Sequence, residues 1–594
     1  MINAYYVVKK GFCPMKHKTL SFLLISTFLV TLFTGCGLYS PSNNDANNTY
    51  DDFIVVDVYN SRANMQGIQS GWFAKIVKDK FNMELNIIAP KISGNNSLLN
   101  IRTASGNVGD LIICGTENGD LMKLVEEELI LDMSDLLKGK YIMKYQSAIN
   151  SLNENLSQDG IFAIPSEIST LSPVQPNEGM DLTFGPYLRW DVYSLVGYPQ
   201  MSTLEDLLPV LEKMRDAMPN TETGNKTYGF SFFRDWDQNF MTCAKQPACF
   251  YGYDEVGFVL AKADGSDYQS IIDKDSLYMR NLKLYFHANQ LGLVDPDSPT
   301  QSFEEMSNKY DDGSILYSPW PWVSQPEFNT IENKAQGKGY MLAPIDDMKI
   351  LSYGCSPAGN QNVVIAIGSQ AEDPQRLADF INWLYSPEGI QAGCAQPSNG
   401  TAGPKGLTWE MGDDGPYLTE FGIKALLSGD ADVPEEWGGS TWDQGVSQLN
   451  FITITENDLD PDGYPYYYAL WDSILSMDAT PLDLDWKTHL NTDAYSTLKY
   501  LEENDQMIIA PGNDYIVPPT TSDITAMRRQ CRSVIIDYSW KMVFASDEES
   551  FNALYNEMVT KVKAFGYEDV LTLDLKNAKD QDDARKRAVA SAFN

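Results

Sequence analysis

The chain has 594 residues, 43% of them hydrophobic, with 81 acidic side chains against 44 basic ones and a formal net charge of −37. That length predicts two or three domains or lobes, and the apolar fraction suffices for a packed core. So acidic a body is repelled by phosphate backbones and anionic lipid, which argues against nucleic acid binding; it also disfavours a strongly anionic ligand unless a local basic pocket overrides the field.

Near the start, Lys16 and Lys18 precede an apolar run at 20–33, followed by Thr34, Gly35 and Cys36. A short basic region, a short apolar region and small residues predict a secretory signal at 1–35; the run is too short for a spanning helix, which needs about 20 residues. Met15 is a natural start for it. The cysteine after Thr-Gly resembles the lipobox of bacterial lipoproteins, in which cleavage precedes the cysteine and lipid is attached to it. Phe33 stands where leucine is usual. An uncleaved anchor or plain secretory signal is the alternative. Residues 36–50 are polar and aperiodic and read as a flexible tether.

The other cysteines beyond Cys13 are 114, 243, 249, 355, 394 and 531, too sparse for a disulfide scaffold, with Cys243 and Cys249 the one close pair that permits a bridge. No zinc spacing occurs among the cysteines and three histidines, and no cofactor or metal is expected.

Residues 53–60 are a short β-branched strand. Trp72, Phe73, Ile76, Val77 and Phe81 then recur at helical spacing. Strands at 85–90 and 109–114 alternate with helices at 97–104 and 121–130, which predicts a doubly wound α/β lobe with a mainly parallel sheet. A second unit opens at 185–191. Ser202 and Glu205 read as a capping box for a helix that Pro209 kinks. A strand at 228–237 ends in charge and tryptophan, and a helix at 277–290 follows. The stretch SPWPWV, residues 318–323, reads as the stiff end of a strand, so Trp320 and Trp322 point to one face, either into a cleft or into the core. Strands at 339–344 and 362–367 precede a helix at 373–385. From about 400 the chain is rich in tyrosine and tryptophan, then helical; Ser546 and Glu549 form a second capping box.

This order resembles the extracellular solute-binding proteins of ABC importers, in the group that contains the maltodextrin-binding protein, and within it the large lipoproteins of the LplA-like subgroup. The resemblance spans most of 50–395. It rests on the stretch from Leu188 to Pro199 with Ser202–Asp206, on Ser318 to Trp322, which is similar to a G-P-W-x-W segment, and on the helix from Asp373 to Gln391. It implies an α/β, two-lobed periplasmic-binding-protein-like fold (type II) with an extended C-terminal helical region. Lobe one would hold 51–185 and 355–400, and lobe two 186–354 and 401–594. The implied role is capture of an oligosaccharide and its delivery to an ABC permease, without catalysis. The protein would be a monomer on the extracytoplasmic face of a bacterial membrane, lipid-anchored through Cys36.

By position, the resemblance puts Trp320 against a sugar face with Trp322 buried behind it. It puts Glu117, Asn118 and Asn60 at the cleft from lobe one, and Arg234, Asp235 and Trp236 from lobe two. Tyr187 and Arg189 lie at the crossover. Carboxylates and amides pair with sugar hydroxyls, and aromatic faces take the C–H faces of rings. A calcium loop of many relatives is replaced by 220–228, which lacks the aspartates; the D-x-D-x-D-G stretch at 458–463 has Ala469 at its twelfth position and reads as a turn. Two other functions stay open: a surface glycoside hydrolase, which needs two flanking carboxylates, and a binder of peptides or other solutes on the same fold.

Overall fold

The computed structural model describes residues 50–592 apart from 64, 91–97, 117–119, 155, 238, 396–399, 428–430 and 519. The expected signal, the tether up to residue 49, Cys36, Glu117 and Asn118 therefore lie outside the described residues.

Among the described residues the first lobe carries a six-stranded sheet. The β-branched run becomes the strand Ile54–Asn60, parallel to Met83–Ile88 on one side and Leu111–Cys114 on the other. The late strand Asn360–Ile367 is inserted antiparallel between Leu111–Cys114 and Ile164–Ser166, and Gly67–Ile68 closes the far edge. The helix Gly71–Phe81 turns Trp72, Phe73, Val77 and Phe81 onto this sheet. Its apolar stripe follows from their helical spacing.

The second lobe is built on Tyr187–Arg189, flanked antiparallel by Tyr317–Ser318 and Tyr340–Leu342. Parallel bridges Tyr228–Ile315 and Phe230–Val294 continue that sheet. The carboxyl ends of these parallel segments run out at Phe232–Asp237, Asp295–Gln301 and Ser318–Trp322.

The C-terminal third divides differently from the expectation that 401–594 belongs to lobe two. Side chains from Ala402 to Trp471 lie in the core of lobe one. Trp442 stacks on Trp72 with centroids 4.7 Å apart at 10°. Only from Leu482 onward does the chain join the core of lobe two. The helices Ser522–Val543, Glu548–Ala564 and Tyr567–Ala592 pack there against the helix Leu277–Gln290 and the hairpin at 253–262. Asp574 docks the last helix: its carboxylate accepts the Phe258 N–H at 2.8 Å and a bidentate pair from Arg528. Gly257 (φ 62°) makes room, since a Cβ there would lie 2.2 Å from that carboxylate.

The segments that pass between the lobes are bound to one another. Glu178, 7% exposed, accepts the hydroxyl of Ser352 at 2.6 Å and that of Thr183 at 2.9 Å. Asn457 donates to the carbonyls of Pro176 and Glu178. Ile350–Tyr353 pairs in parallel with Met507–Ala510. At Gly354 the backbones pass so closely that a Cβ would lie 2.1 Å from the Pro173 carbonyl oxygen.

Local details shift by a residue or two. The capping box uses Thr203 and Asp206, not Ser202 and Glu205. Pro209 sits in the first turn of Leu207–Ala217, behind a 3₁₀ turn, so it kinks nothing. Asp547, not Ser546, caps the helix Glu548–Ala564. Cys243 and Cys249 are separate buried thiols, held on successive helical turns with their sulfurs directed at the Phe233 carbonyl and the Gln246 side chain. Burial pushes the Cys249 thiol up to about 12. In the stretch at 458–463, the Asp458 carboxylate is spent on Thr170 and Thr455, and Gly463 N–H donates to the Asp460 carbonyl in a turn.

Candidate functional site

In an open α/β sheet ligands sit beyond the carboxyl ends of the strands. At that edge of lobe two the turn 234–237 meets the segment after Tyr317–Ser318. Phe233, Trp236, Phe303, Trp320 and Trp322 form one aromatic cluster there. Trp236 is its centre. Phe303 stacks on Trp236 at 4.4 Å and 26°, and Trp322 lies in an offset stack at 5.8 Å and 21°. Trp320 meets Trp236 edge-on at 5.9 Å. Trp236 is thus stacked by two rings, an arrangement that aromatic side chains favour. Trp236 and Trp322 are half-buried, whereas Trp320 is 3% exposed.

The two tryptophans thus exchange the places expected of them. The strand ends at Ser318, and Trp320 is the extended cap of the helix Pro321–Phe328. Pro321 at the first helical position has its φ already set for a helix, so the chain turns and the alternation of a strand stops. Trp320 swings inward onto Phe233 and Trp236. Trp322 is carried to the outer side, where its indole N–H donates to the Thr183 carbonyl at 3.2 Å. Thr183 belongs to the first inter-lobe segment, so this bond ties the aromatic platform to it.

The polar residues around the platform divide by what they are committed to. Asp235 is exposed, and one of its oxygens accepts the Phe303 N–H at 2.8 Å, which fixes Phe303 against Trp236. Arg234 is exposed, with its guanidinium 5.0 Å from the ring of Trp540. Asp237, on the other side of Trp236, accepts the Trp540 indole N–H at 2.7 Å and the Thr242 N–H at 2.8 Å. Burial raises its carboxyl to about 6 against those two hydrogen bonds.

Three expected contacts are not open to a ligand. Asn60 is fully buried; its amide donates to the Leu449 carbonyl at 2.6 Å, and its oxygen accepts the N–H groups of Arg62 and Ala63. It holds the loop after the first strand to the 449 segment. Arg189, 4% exposed, forks onto both Asp191 oxygens at 3.0 and 2.7 Å, gives its remaining arm to the Gly313 carbonyl at 2.8 Å, and covers the Phe328 ring. Tyr187 is buried with its hydroxyl between Asp181 and Thr497. These side chains are the frame of the lobe. Sequence reasoning missed Phe303, Thr183 and Trp540. The first follows a capping serine, Ser302, that marks only a helix start, and Trp540 comes from a helix some 300 residues away; neither carries a local signal.

Among the described residues no group of histidine, cysteine and carboxylate side chains can hold a metal, and no helix is long and apolar enough to cross a membrane.

The two lobes, their interleaved segments and the platform at a sheet edge define the fold of two-lobed solute-binding proteins. Known structures agree over nearly the whole chain. The alginate-binding protein AlgQ2 superposes with a TM-score of 0.57 at 13% identity, over 89% of this chain and 99% of that one. FusA, an ABC-transporter substrate-binding protein of Streptococcus pneumoniae solved with kestose, gives 0.57 at 14% identity over 89% and 99%. An extracellular solute-binding protein of Bifidobacterium longum subsp. infantis gives 0.56 at 14% over 90% and 100%. No family model and no curated protein matches the sequence.

Proposed function

We propose that this protein is the substrate-binding component of an ABC importer, capturing an oligosaccharide between its lobes and passing it to a membrane permease without turnover. The observation that carries this is the platform of Trp236 and Trp322, half-buried, offset and fixed at the carboxyl edge of a lobe in a two-lobed solute-binding fold. Flat apolar faces beside exposed Arg234 and Asp235 match a sugar ring, which has C–H faces and a rim of hydroxyls. The alginate and kestose named for the similar structures are carbohydrates, which supports the same class of cargo. Glu117 and Asn118 are the ligand contacts this reading assigns to lobe one. Ligand would bind better to the closed arrangement and shift the population toward it. The signal at 1–35 and Cys36 would place the body on a lipid anchor outside the membrane, as a monomer.

The test is calorimetric titration against a panel of oligosaccharides, with chromatography of the mixture afterwards. The expected result is saturable binding with intact sugar recovered, weakened about tenfold or more by Trp322→Ala. Sugar cleaved during the titration, or an affinity untouched by Trp322→Ala and Trp236→Ala, would overturn the proposal.

A further inference from the structure

On the far flank of the turn that carries Trp236 lies a cavity of about 430 Å³, lined by Arg234, Asp237, Arg529, Arg532, Ser533 and Asp537, with Ile536. Pockets that take small ligands run to about 300–1,000 Å³, so it has room for one sugar unit. Arg529, Arg532 and Ser533 lie on successive turns of the helix Ser522–Val543, whose later turn supplies Trp540. Helical spacing puts Arg532, Ile536 and Trp540 on one face, and that face meets Arg234 and Asp237.

The charge of this cavity is out of keeping with the rest of the molecule. The chain carries −37, and among the described residues no ion pair joins Arg234, Arg529 or Arg532 to a carboxylate. Of its two acids, Asp237 accepts hydrogen bonds from Trp540 and Thr242 and also feels the charge of Arg234, while Asp537 pairs with Lys541 at 2.8 Å. Three guanidinium groups and two carboxylates therefore line the cavity, which leaves it a net positive charge in an otherwise acidic body. Each guanidinium presents a planar fork that fits the two oxygens of a carboxylate or sulfate. A basic pocket of this kind is what an acidic body needs to hold an anionic group against its own field.

We infer that this cavity seats the carboxylate or sulfate of an acidic sugar unit, adjoining the unit on Trp236 and Trp322, so that the cargo is an anionic oligosaccharide. The inference rests on the carbohydrate-binding reading and adds the charge of the cargo. Arg234 and Asp237 flank Trp236 in one turn, so the cavity borders the turn that carries the platform. Arg529 and Arg532 grip the oxyanion. Arg234, held over Trp540, closes the side nearest the platform.

The test is a glycan array of neutral, uronic acid-containing, sialylated and sulfated oligosaccharides, with methyl esters of the uronic acids as matched neutral partners. It is probed with the wild-type protein, with Trp236→Ala and with the double variant Arg529→Gln/Arg532→Gln. Both arginines are exposed, so the double variant keeps its packing; an unchanged melting temperature checks this. The expected result is preferential binding of acidic glycans, reduced at least tenfold by the double variant and by esterification, and reduced for every glycan by Trp236→Ala. Binding of neutral glycans alone, or of acidic ones undiminished by the double variant, overturns the inference and leaves the carbohydrate reading standing. No binding to any glycan removes both.

Discussion

Replacing Arg189 with alanine separates a frame residue from a ligand contact. The guanidinium makes two bonds to Asp191, one to the Gly313 carbonyl, and lies 4.0 Å from the Phe328 ring centre. Asp191 has a side chain only 19% exposed, so truncation strands a nearly buried carboxylate and a carbonyl and leaves a void over Phe328. Removing one partner of a buried pair costs about 3–5 kcal/mol, and the orphaned carbonyl and void overlap with that cost, so about 4 kcal/mol is expected in total. With a urea dependence of about 3 kcal/mol/M for a lobe of this size, the transition of lobe two moves down by about 1.3 M. Tryptophan fluorescence in urea follows it. Arg189→Lys keeps the charge but loses the fork and falls between the two. In parallel, affinity of the folded variant for the best-bound oligosaccharide stays within twofold of wild type. An unchanged urea midpoint combined with lost binding would refute this account and return Arg189 to the site.

The tryptophan pair provides a second separation. Trp320→Ala, at a buried position, lowers stability by about 3–5 kcal/mol, whereas Trp322→Ala changes the melting temperature little and acts on affinity; equal effects of the two would contradict the exchange of places described above. Glu178 gives a pH dependence. Burial lifts its carboxyl above the ordinary range, with the hydrogen bonds from Ser352 and Thr183 pulling the other way. The folded state then holds a proton that the unfolded state has released, so stability falls as pH rises from the ordinary carboxylate range through the folded value. Glu178→Gln should melt higher than wild type at pH 8, with the gap closing toward pH 4; a gap that widens in acid would reverse the assignment. At the other end of the chain, Asp574→Ala takes the partner from Arg528 and from the Phe258 N–H. Hydrogen exchange should then speed up across Tyr567–Ala592 while the first lobe is unaffected, and unaltered protection there would show that the apolar contacts alone dock the helix.

The sequence by itself determined the α/β class and many of the elements, though the sheet of lobe one that it predicted to be mainly parallel is mixed, with two parallel and three antiparallel pairings. The β-branched run at 54–60, the stripe from Trp72 to Phe81 and the helix at 277–290 form as their periodicity requires, because each pattern commits one face to burial whatever it packs against. It also brought attention to Trp236, Trp320 and Trp322. Which indole is offered to solvent was decided by the turn that Pro321 starts, and by Phe303, which Asp235 holds in place. Polar side chains were the least legible. Asn60, Tyr187 and Arg189 have the chemistry of sugar contacts, and nothing local reveals that Leu449, Thr497 and Gly313 take up their hydrogen bonds. The assignment of 402–471 to lobe one and the meeting of Arg234 with Arg529 and Arg532 are likewise tertiary facts. A hydrophobic period is a property of neighbours in the chain, but a hydrogen-bond partner or a shared cavity depends on segments hundreds of residues apart, and only the folded chain brings them together.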